Sequence, residues 1–374
     1  MKTIGHEVHS VVPTLEFPRH TEATFAVLND GTIIMAYNRH VGSSDDSATS
    51  DIYAIFSHDD GETWGDGRVL IAKSKEETNI MCPMFIRLND GALGLIYSRK
   101  VGPDPGHMDC RPVLRRSYDE GETWSDFTYC IDEPGYYVSN NDRIIRLKSG
   151  RVIIPTSCHP NCRDRAESCF FISDDDCHTF HEAKQRLHLP FEHRFTGMQE
   201  TGAAQLSDGT VWGFARTGHG YQFQAFSEDE GETWSNVAPN EYFTSPNSPM
   251  SVKWVNDEKM VAVFNPIPIY NGRYPHYNGE KKHYDIYHPF SVYEGRTPLV
   301  CAVGDGTIKG FDRELRYLEV DEPDPFIGYC YTGILAHKDY VLFAYSVFNY
   351  DYGYKDLDIP IYGIRIKKVM LDEL

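Results

Sequence analysis

Five arginines, Arg19, Arg39, Arg99, Arg216 and Arg296, lie in a 374-residue chain whose formal net charge is −19. They recur near Glu22, Asn141, Glu200 and Tyr331. An arginine's planar fork donates two parallel hydrogen bonds to a carboxylate and stays charged at any relevant pH. Several such groups converging in so acidic a protein would make a locally basic site for a small anionic ligand. The competing reading is that each arginine balances a surface carboxylate, an arrangement that contributes only about 0–1 kcal/mol per pair. The choice rests on the elements that carry these residues.

Those elements are repetitive. The stretch SHDDGETW (Ser57–Trp64) returns as SYDEGETW (Ser117–Trp124) and SEDEGETW (Ser227–Trp234). A decayed copy, SDDDCHTF, runs from Ser173 to Phe180, and a fainter trace is VGDGTIKGF from Val303. In S-x-D-x-G-x-x-W the Asp accepts from nearby backbone N–H groups, the Gly supplies a positive φ, and the Trp packs under a hairpin. A second repeat lies between these copies: LNDGTIIMAY, LNDGALGLIY, LKSGRVIIP and LSDGTVWGFA, with glycines at 31, 91, 150 and 209. WVNDEKMVAVF near Asp257 and AHKDYVLFAY near Asp339 are divergent relatives, which makes six units. Strand-like runs recurring about every 60 residues, with little helical periodicity, predict an all-β, six-bladed β-propeller. One domain spans residues 1–374, with an insertion at about 267–290 in the fifth blade. The alternative is a pair of β-sandwiches with similar turns.

The repeat also predicts which residues meet. Counting nine residues back from each turn glycine gives Glu22, Cys82, Asn141 and Glu200. With Glu258 and Tyr340 as the equivalent turn positions, the divergent units give Pro249 and Tyr331. Counting seven or eight forward gives Arg39, Arg99, Cys158 and Arg216. Antiparallel pairing puts both sets at the ends away from the turn, so they share one face of the propeller, and the S-x-D-x-G-x-x-W turns occupy the other. Arg19, the loop GSSDDSATSD and Arg296 in EGRTPL join the first face.

Bulk properties narrow the partners. The acidic balance argues against nucleic acid and anionic membrane, which need a basic field. There is no window of about 18 apolar residues, and MKTIGHEVHS has no signal-peptide pattern, so a soluble, cytoplasmic protein is expected. Nine scattered cysteines suit a reducing compartment, and the spacing in CHPNC (Cys158–Cys162) matches no zinc pattern. Neither metal nor cofactor is expected.

With these residues in view, the chain resembles the sialidase (neuraminidase) superfamily, whose SxDxGxxW turns are called Asp boxes. The likeness is nearest to its single-domain bacterial sialidase-like, BNR-repeat branch. It runs through FPRHTEATFAVLNDGTIIMAYNRHVGSSD, YYVSNNDRIIRLKSG, QETGAAQLSDGTVWGFART, GRTPL and YCYTGIL. The resemblance implies that Arg19, Arg216 and Arg296 grip a substrate carboxylate. It implies Tyr331 as nucleophile, Glu200 as its basic partner and Asp45 as general acid/base, with Asp46 and Asp51 as substitutes. Arg99 and the segment around Asn141 would line the sugar pocket, while Arg39 and Glu22 are expected to bind substrate by their place in the repeat rather than by the resemblance. A neutral phenol avoids the repulsion that a carboxylate nucleophile would meet beside an anomeric carboxylate, and sialidases are exceptions to the two-carboxylate scheme of glycosidases. Two features depart from the family pattern. Arg19 sits in FPRHTEATF rather than in an R-I-P motif, and Glu22 has no role in the sialidase scheme. The expected function is a retaining exo-glycosidase for a terminal acidic sugar. The alternatives are a uronate-polysaccharide lyase or hydrolase and a non-catalytic glycan-binding propeller.

Overall fold

In the computed structural model, residues 2–103, 107–160, 165–190, 197–266, 296–320, 327–349 and 362–374 are described, and the insertion at 267–290 lies outside them. Six antiparallel sheets follow one another along the chain, as the repeat predicts. Blade 1 is Arg19–Val27, Ile33–His40, Ser50–Ser57 and Gly65–Ile71; blade 2 is Asn79–Arg87, Leu93–Val101, Asp109–Ser117 and Thr128–Tyr129. In blade 3 the inner strand is broken: Tyr137–Val138 and Ile145–Arg146 both pair with Val152–Cys158, and Glu167–Ser173 and His181–Glu182 follow. Blade 4 is Gln199–Gln205, Val211–Arg216, Tyr221–Ser227 and Ala238–Thr244; blade 5 is Ser251–Trp254, Met260–Phe264, Leu299–Gly304 and Arg316–Glu319. Blade 6 takes Ile327–His337, Tyr340–Asn349 and Tyr362–Met370 from the C-terminal end and His6–Val11 from the N-terminal end. That last pairing, His6 opposite Lys368 through Val11 opposite Ile364, closes the ring, and the repeat gave no sign of it.

The strands read as continuous apolar runs because each blade is covered on both faces. In Ile33–Ala36 all four side chains are buried. Ile34 and Ala36 pack with Ile80, Leu93 and Leu95 of blade 2, whereas Ile33 and Met35 pack with Leu342 and Ile366 of blade 6. Four further clusters fill the remaining junctions between successive blades. The core is therefore six layers between blades, and the axis is left for polar side chains.

The Asp boxes pin the outer hairpins by one repeated set of bonds. Asp59 accepts from the Thr63 backbone N–H at 2.8 Å and from its hydroxyl at 2.6 Å, while Ser57 Oγ donates to Asp59 and accepts from Gly61 N. The same bonds form around Asp119 and Asp229. The decayed copy keeps them around Asp175, with Cys177 at φ 66° where the intact copies have glycine. The threonine is thus the other half of the device, a role the sequence reading left unassigned. Trp234 of blade 4 stacks on Phe170 of blade 3 with centroids 4.0 Å apart, and its indole N–H donates to Gly231 O. Trp234→Ala is expected to cost about 3–5 kcal/mol of stability, read as a lower denaturant midpoint at unchanged slope.

Candidate functional site

Four of the six inner strands, those of blades 1, 2, 4 and 6, carry an irregularity at the end away from the turn. Glu22, Cys82, Glu200 and Tyr331 have φ of 61°, 58°, 49° and 56°, and the register slips immediately beyond each. One extra residue is thereby inserted into the innermost strand, a bulge of the kind that re-aims a side chain, and the left-handed conformation costs an L-residue roughly 1–2 kcal/mol. The positions reached by counting nine back are therefore a structural ring. In blade 3 the left-handed residue is Asp142 (φ 55°), one past Asn141. In blade 5 the residue that reaches the cluster is Asn247, two before Pro249.

Blades 4, 5 and 6 bring four of the expected groups together. Tyr331 Oη donates to Glu200 Oε1 at 2.9 Å, and Arg216 Nη1 lies 2.7 Å from the same oxygen. Arg216 Nε donates to Asn247 Oδ1 at 2.6 Å, and Arg296 Nη2 to the Asn247 carbonyl at 2.9 Å. The Arg296 guanidinium also contacts Cys330 Sγ at 3.1 Å and stands 5.6 Å from the centre of the Tyr331 ring. Arg216 and Arg296 are both buried. Burial opposes the Glu200 carboxylate, but the charges of Arg216 and Arg296, with hydrogen bonds from Arg216 and Tyr331, outweigh it and hold the pKa below the usual glutamate value. Burial, then the adjacent Glu200 charge, pushes the Tyr331 phenol well above its ordinary value. The resting pair is a neutral phenol donating to an ionised carboxylate whose second oxygen, Oε2, is buried without a partner among the described residues.

Arg19 is buried in blade 1. Its Nη1 donates to Asp46 at 2.5 Å and to the Ser44 carbonyl at 3.0 Å. Its guanidinium lies 4.5 Å from the centre of the Tyr362 ring, Tyr362 packs on Phe348 at 5.3 Å, and Arg296 lies 5.9 Å from Phe348. An aromatic pair thus joins Arg19 to Arg296, and no repeat position pointed to either ring. Asp45 is exposed and accepts from Ser43 Oγ at 3.2 Å; its neighbour Asp46 is the residue on Arg19. Glu22 is buried, accepting from Asn38 Nδ2 and from the Cys82 N–H and thiol, and burial raises its pKa against the pull of Arg19.

Arg39 and Arg99 go elsewhere. Arg39 makes a two-pronged pair with Asp51 (3.1 and 2.7 Å) between the rings of Phe17 and Tyr53. Arg99 pairs with Glu77 at 2.8 Å, bonds Tyr129 Oη at 2.7 Å and faces Phe127. For these two the ion-pair reading describes the observed contacts. Asn141 Nδ2 donates to the carbonyls of Ala23 (2.7 Å) and Tyr331 (3.2 Å), which braces the backbone on which the phenol stands. Asp142 crosses the axis, accepting from Thr24 Oγ1 of blade 1, Lys253 Nζ of blade 5 and Ile334 N of blade 6. Arg143, unnoticed in the sequence, is buried beside it. Among the described residues no group of three or more His, Cys, Asp and Glu side chains is placed to hold a metal ion. Two guanidinium groups around a phenol–carboxylate pair can bind an anion and move one proton.

The BNR repeat-like domain family model matches residues 31–354. No curated protein sequence matches the chain. Among solved structures, a protein of unknown function from Dyadobacter fermentans DSM 18053 is 17% identical with a TM-score of 0.70, over 97% of this chain and 99% of that one. The leech intramolecular trans-sialidase complexed with 2,7-anhydro-Neu5Ac is 14% identical with a TM-score of 0.69, over 100% of this chain and 71% of that one. The Ruminococcus gnavus intramolecular trans-sialidase in complex with oseltamivir carboxylate is 14% identical with a TM-score of 0.68, over 96% of each chain. At these identities the likeness is one of fold. With the family model covering most of its length, the chain belongs to the BNR repeat-like domain family, and its described residues form a six-bladed β-propeller.

Proposed function

We propose that this protein is a retaining exo-glycosidase that removes a terminal acidic sugar of the sialic acid class. The observation that carries the reading is the hydrogen bond from Tyr331 to Glu200 between the buried arginines 216 and 296. Arg216 and Arg296, with Arg19 reached through the Tyr362–Phe348 pair, would hold the substrate carboxylate. Glu200 then accepts the phenolic proton as Tyr331 Oη bonds to the anomeric carbon. The glycosidic C–O bond breaks, and the leaving oxygen takes a proton from Asp45 on the exposed loop. In the second half, Asp45 draws a proton from water, the water oxygen bonds to the anomeric carbon, and the bond to Tyr331 breaks. Glu200 returns the proton to the phenolate. Two displacements at one carbon give net retention.

Similar folds in proteins named as trans-sialidases and complexed with sialic-acid-like ligands support the substrate class. Purified protein incubated with aryl glycosides of sialic, deaminated sialic and uronic acids is expected to release the aryl alcohol from a sialic-type member. Release from none, with sugar binding retained, would leave a binding propeller. An unsaturated product absorbing in the ultraviolet would point to a lyase.

A further inference from the structure

Glu22 stands at the mouth end of blade 1's inner strand, where the bulge places it in the left-handed conformation, and it has no part in the chemistry proposed above. It is 3% exposed, and its surroundings treat its two oxygens differently. Oε2 receives three donors: Asn38 Nδ2 at 3.1 Å, the Cys82 N–H at 3.2 Å and the Cys82 thiol at 3.2 Å. Cys82 holds the matching left-handed position of blade 2, and its N–H also donates to Asn38 Oδ1 at 3.0 Å, so two blades fix the surroundings of Oε2. Oε1 accepts from none of the described residues and keeps accessible surface. An oxygen met by three donors has to be an acceptor. A proton on this carboxyl therefore sits on Oε1 and turns the open side of the group into a donor.

The charges that face the carboxyl come from both blades: Arg19 and Asp46 from blade 1 and its loop, Lys100 and the Cys82 thiol from blade 2. Arg19 and Asp46 pair with each other, while Lys100 Nζ reaches the Asp46 carbonyl at 3.4 Å and Met81 Sδ at 2.8 Å. His40, buried in the field of Arg19 and Asp46, is pushed down by burial to about 2 and stays neutral. Burial is also the largest influence on Glu22 and raises its pKa, so its acid form persists to higher pH than in an ordinary glutamate. Arg19 keeps a donor for a ligand: Nη1 is taken by Asp46 and the Ser44 carbonyl, and Nη2 bonds none of the described residues. An ionised Glu22 would repel an anion drawn to Arg19, whereas the acid adds a second donor. We propose that Glu22 is a specificity-determining residue that works as the acid, its Oε1–H donating, beside Arg19 Nη2, to the carboxylate of the bound sugar. The inference rests on the acidic-sugar reading above and adds a pH requirement that the arginines alone do not impose. Ionisation replaces the donor by a like charge, so affinity is full below the Glu22 titration and falls as pH rises through it.

Calorimetric binding of the sialic acid N-acetylneuraminate to the whole protein is expected to weaken by about tenfold or more from about pH 5 to about pH 8. The amide of the same sugar, bound more weakly, should show no such fall. Glu22→Gln should bind the acid nearly alike at both ends of the range. Its carbonyl oxygen must face Asn38 and Cys82, which leaves the amide N–H at the place of Oε1 as a permanent donor. Infrared difference spectra between wild type and Glu22→Gln read the same proton with no ligand present. The C=O stretch of a protonated carboxyl should be absent from the variant and should titrate in wild type above the ordinary glutamate value of about 4.3. A band that titrates at the ordinary value, pH-independent binding by wild type, or an undiminished pH dependence in Glu22→Gln would each overturn this role and leave the acidic-sugar function standing. No binding of the sugar acid at any pH would remove that function and this role together.

Discussion

Tyr331→Phe is expected to lower kcat by at least about a thousandfold while leaving substrate affinity nearly unchanged. The substitution keeps the ring that Arg296 faces at 5.6 Å and removes only the hydroxyl that donates to Glu200. Glu200 keeps its pair with Arg216, so the electrostatics that bind an anion persist. The lost bond should cost only about 1 kcal/mol of stability, which separates chemistry from folding. Steady-state kinetics on whichever aryl glycoside responds, beside calorimetric binding of the free sugar acid, reads both quantities. Wild-type turnover in this variant would remove Tyr331 as nucleophile and leave the fold assignment untouched.

Arg296→Ala carries the second large effect. Arg296 is 2% exposed and held by the Asn247 carbonyl and Cys330. A buried guanidinium held in place can meet a carboxylate with little reorganisation, and truncating one partner of such a pair costs about 2–5 kcal/mol. KM for an acidic aryl glycoside should therefore rise by roughly a hundredfold or more. A glycoside whose carboxylate has been converted to an amide should lose far less, because no ion pair is at stake. Arg296→Lys should restore little, since an ammonium lacks the two-pronged geometry. An equal loss on the acid and on its amide would mean that Arg296 serves the fold rather than the substrate.

The propeller was legible because its signals are local. The Asp-box bonds close within six residues, from Ser57 Oγ to Thr63, and repeat with almost the same letters. The face shared by Glu200, Arg216 and Tyr331 was legible too, because antiparallel pairing places Gln199 opposite Arg216 without further information. Blade 3 shows the limit of such counting. Its broken inner strand moves the left-handed residue from Asn141 to Asp142, and the side chain one step away changes from a brace into a crossing of the hub.

By itself, then, the sequence determined the six blades, the Asp-box side and the strand ends that face the other mouth. Hydrogen-bonding turns and strand alternation act over a few residues, and a repeat copies their outcome around the ring. Only the tertiary structure decided which arginines gather at that mouth. Arg39, Arg99 and Arg216 hold matching places in their blades, yet Arg39 meets Asp51, Arg99 meets Glu77, and Arg216 meets Glu200 beside Tyr331. Their partners are set by packing between segments as far apart as Arg216 and Asn247, Arg296 and Cys330, or Arg19 and Tyr362. A guanidinium's role depends on the nearest carboxylate or ring in space, and distance along the chain does not encode that.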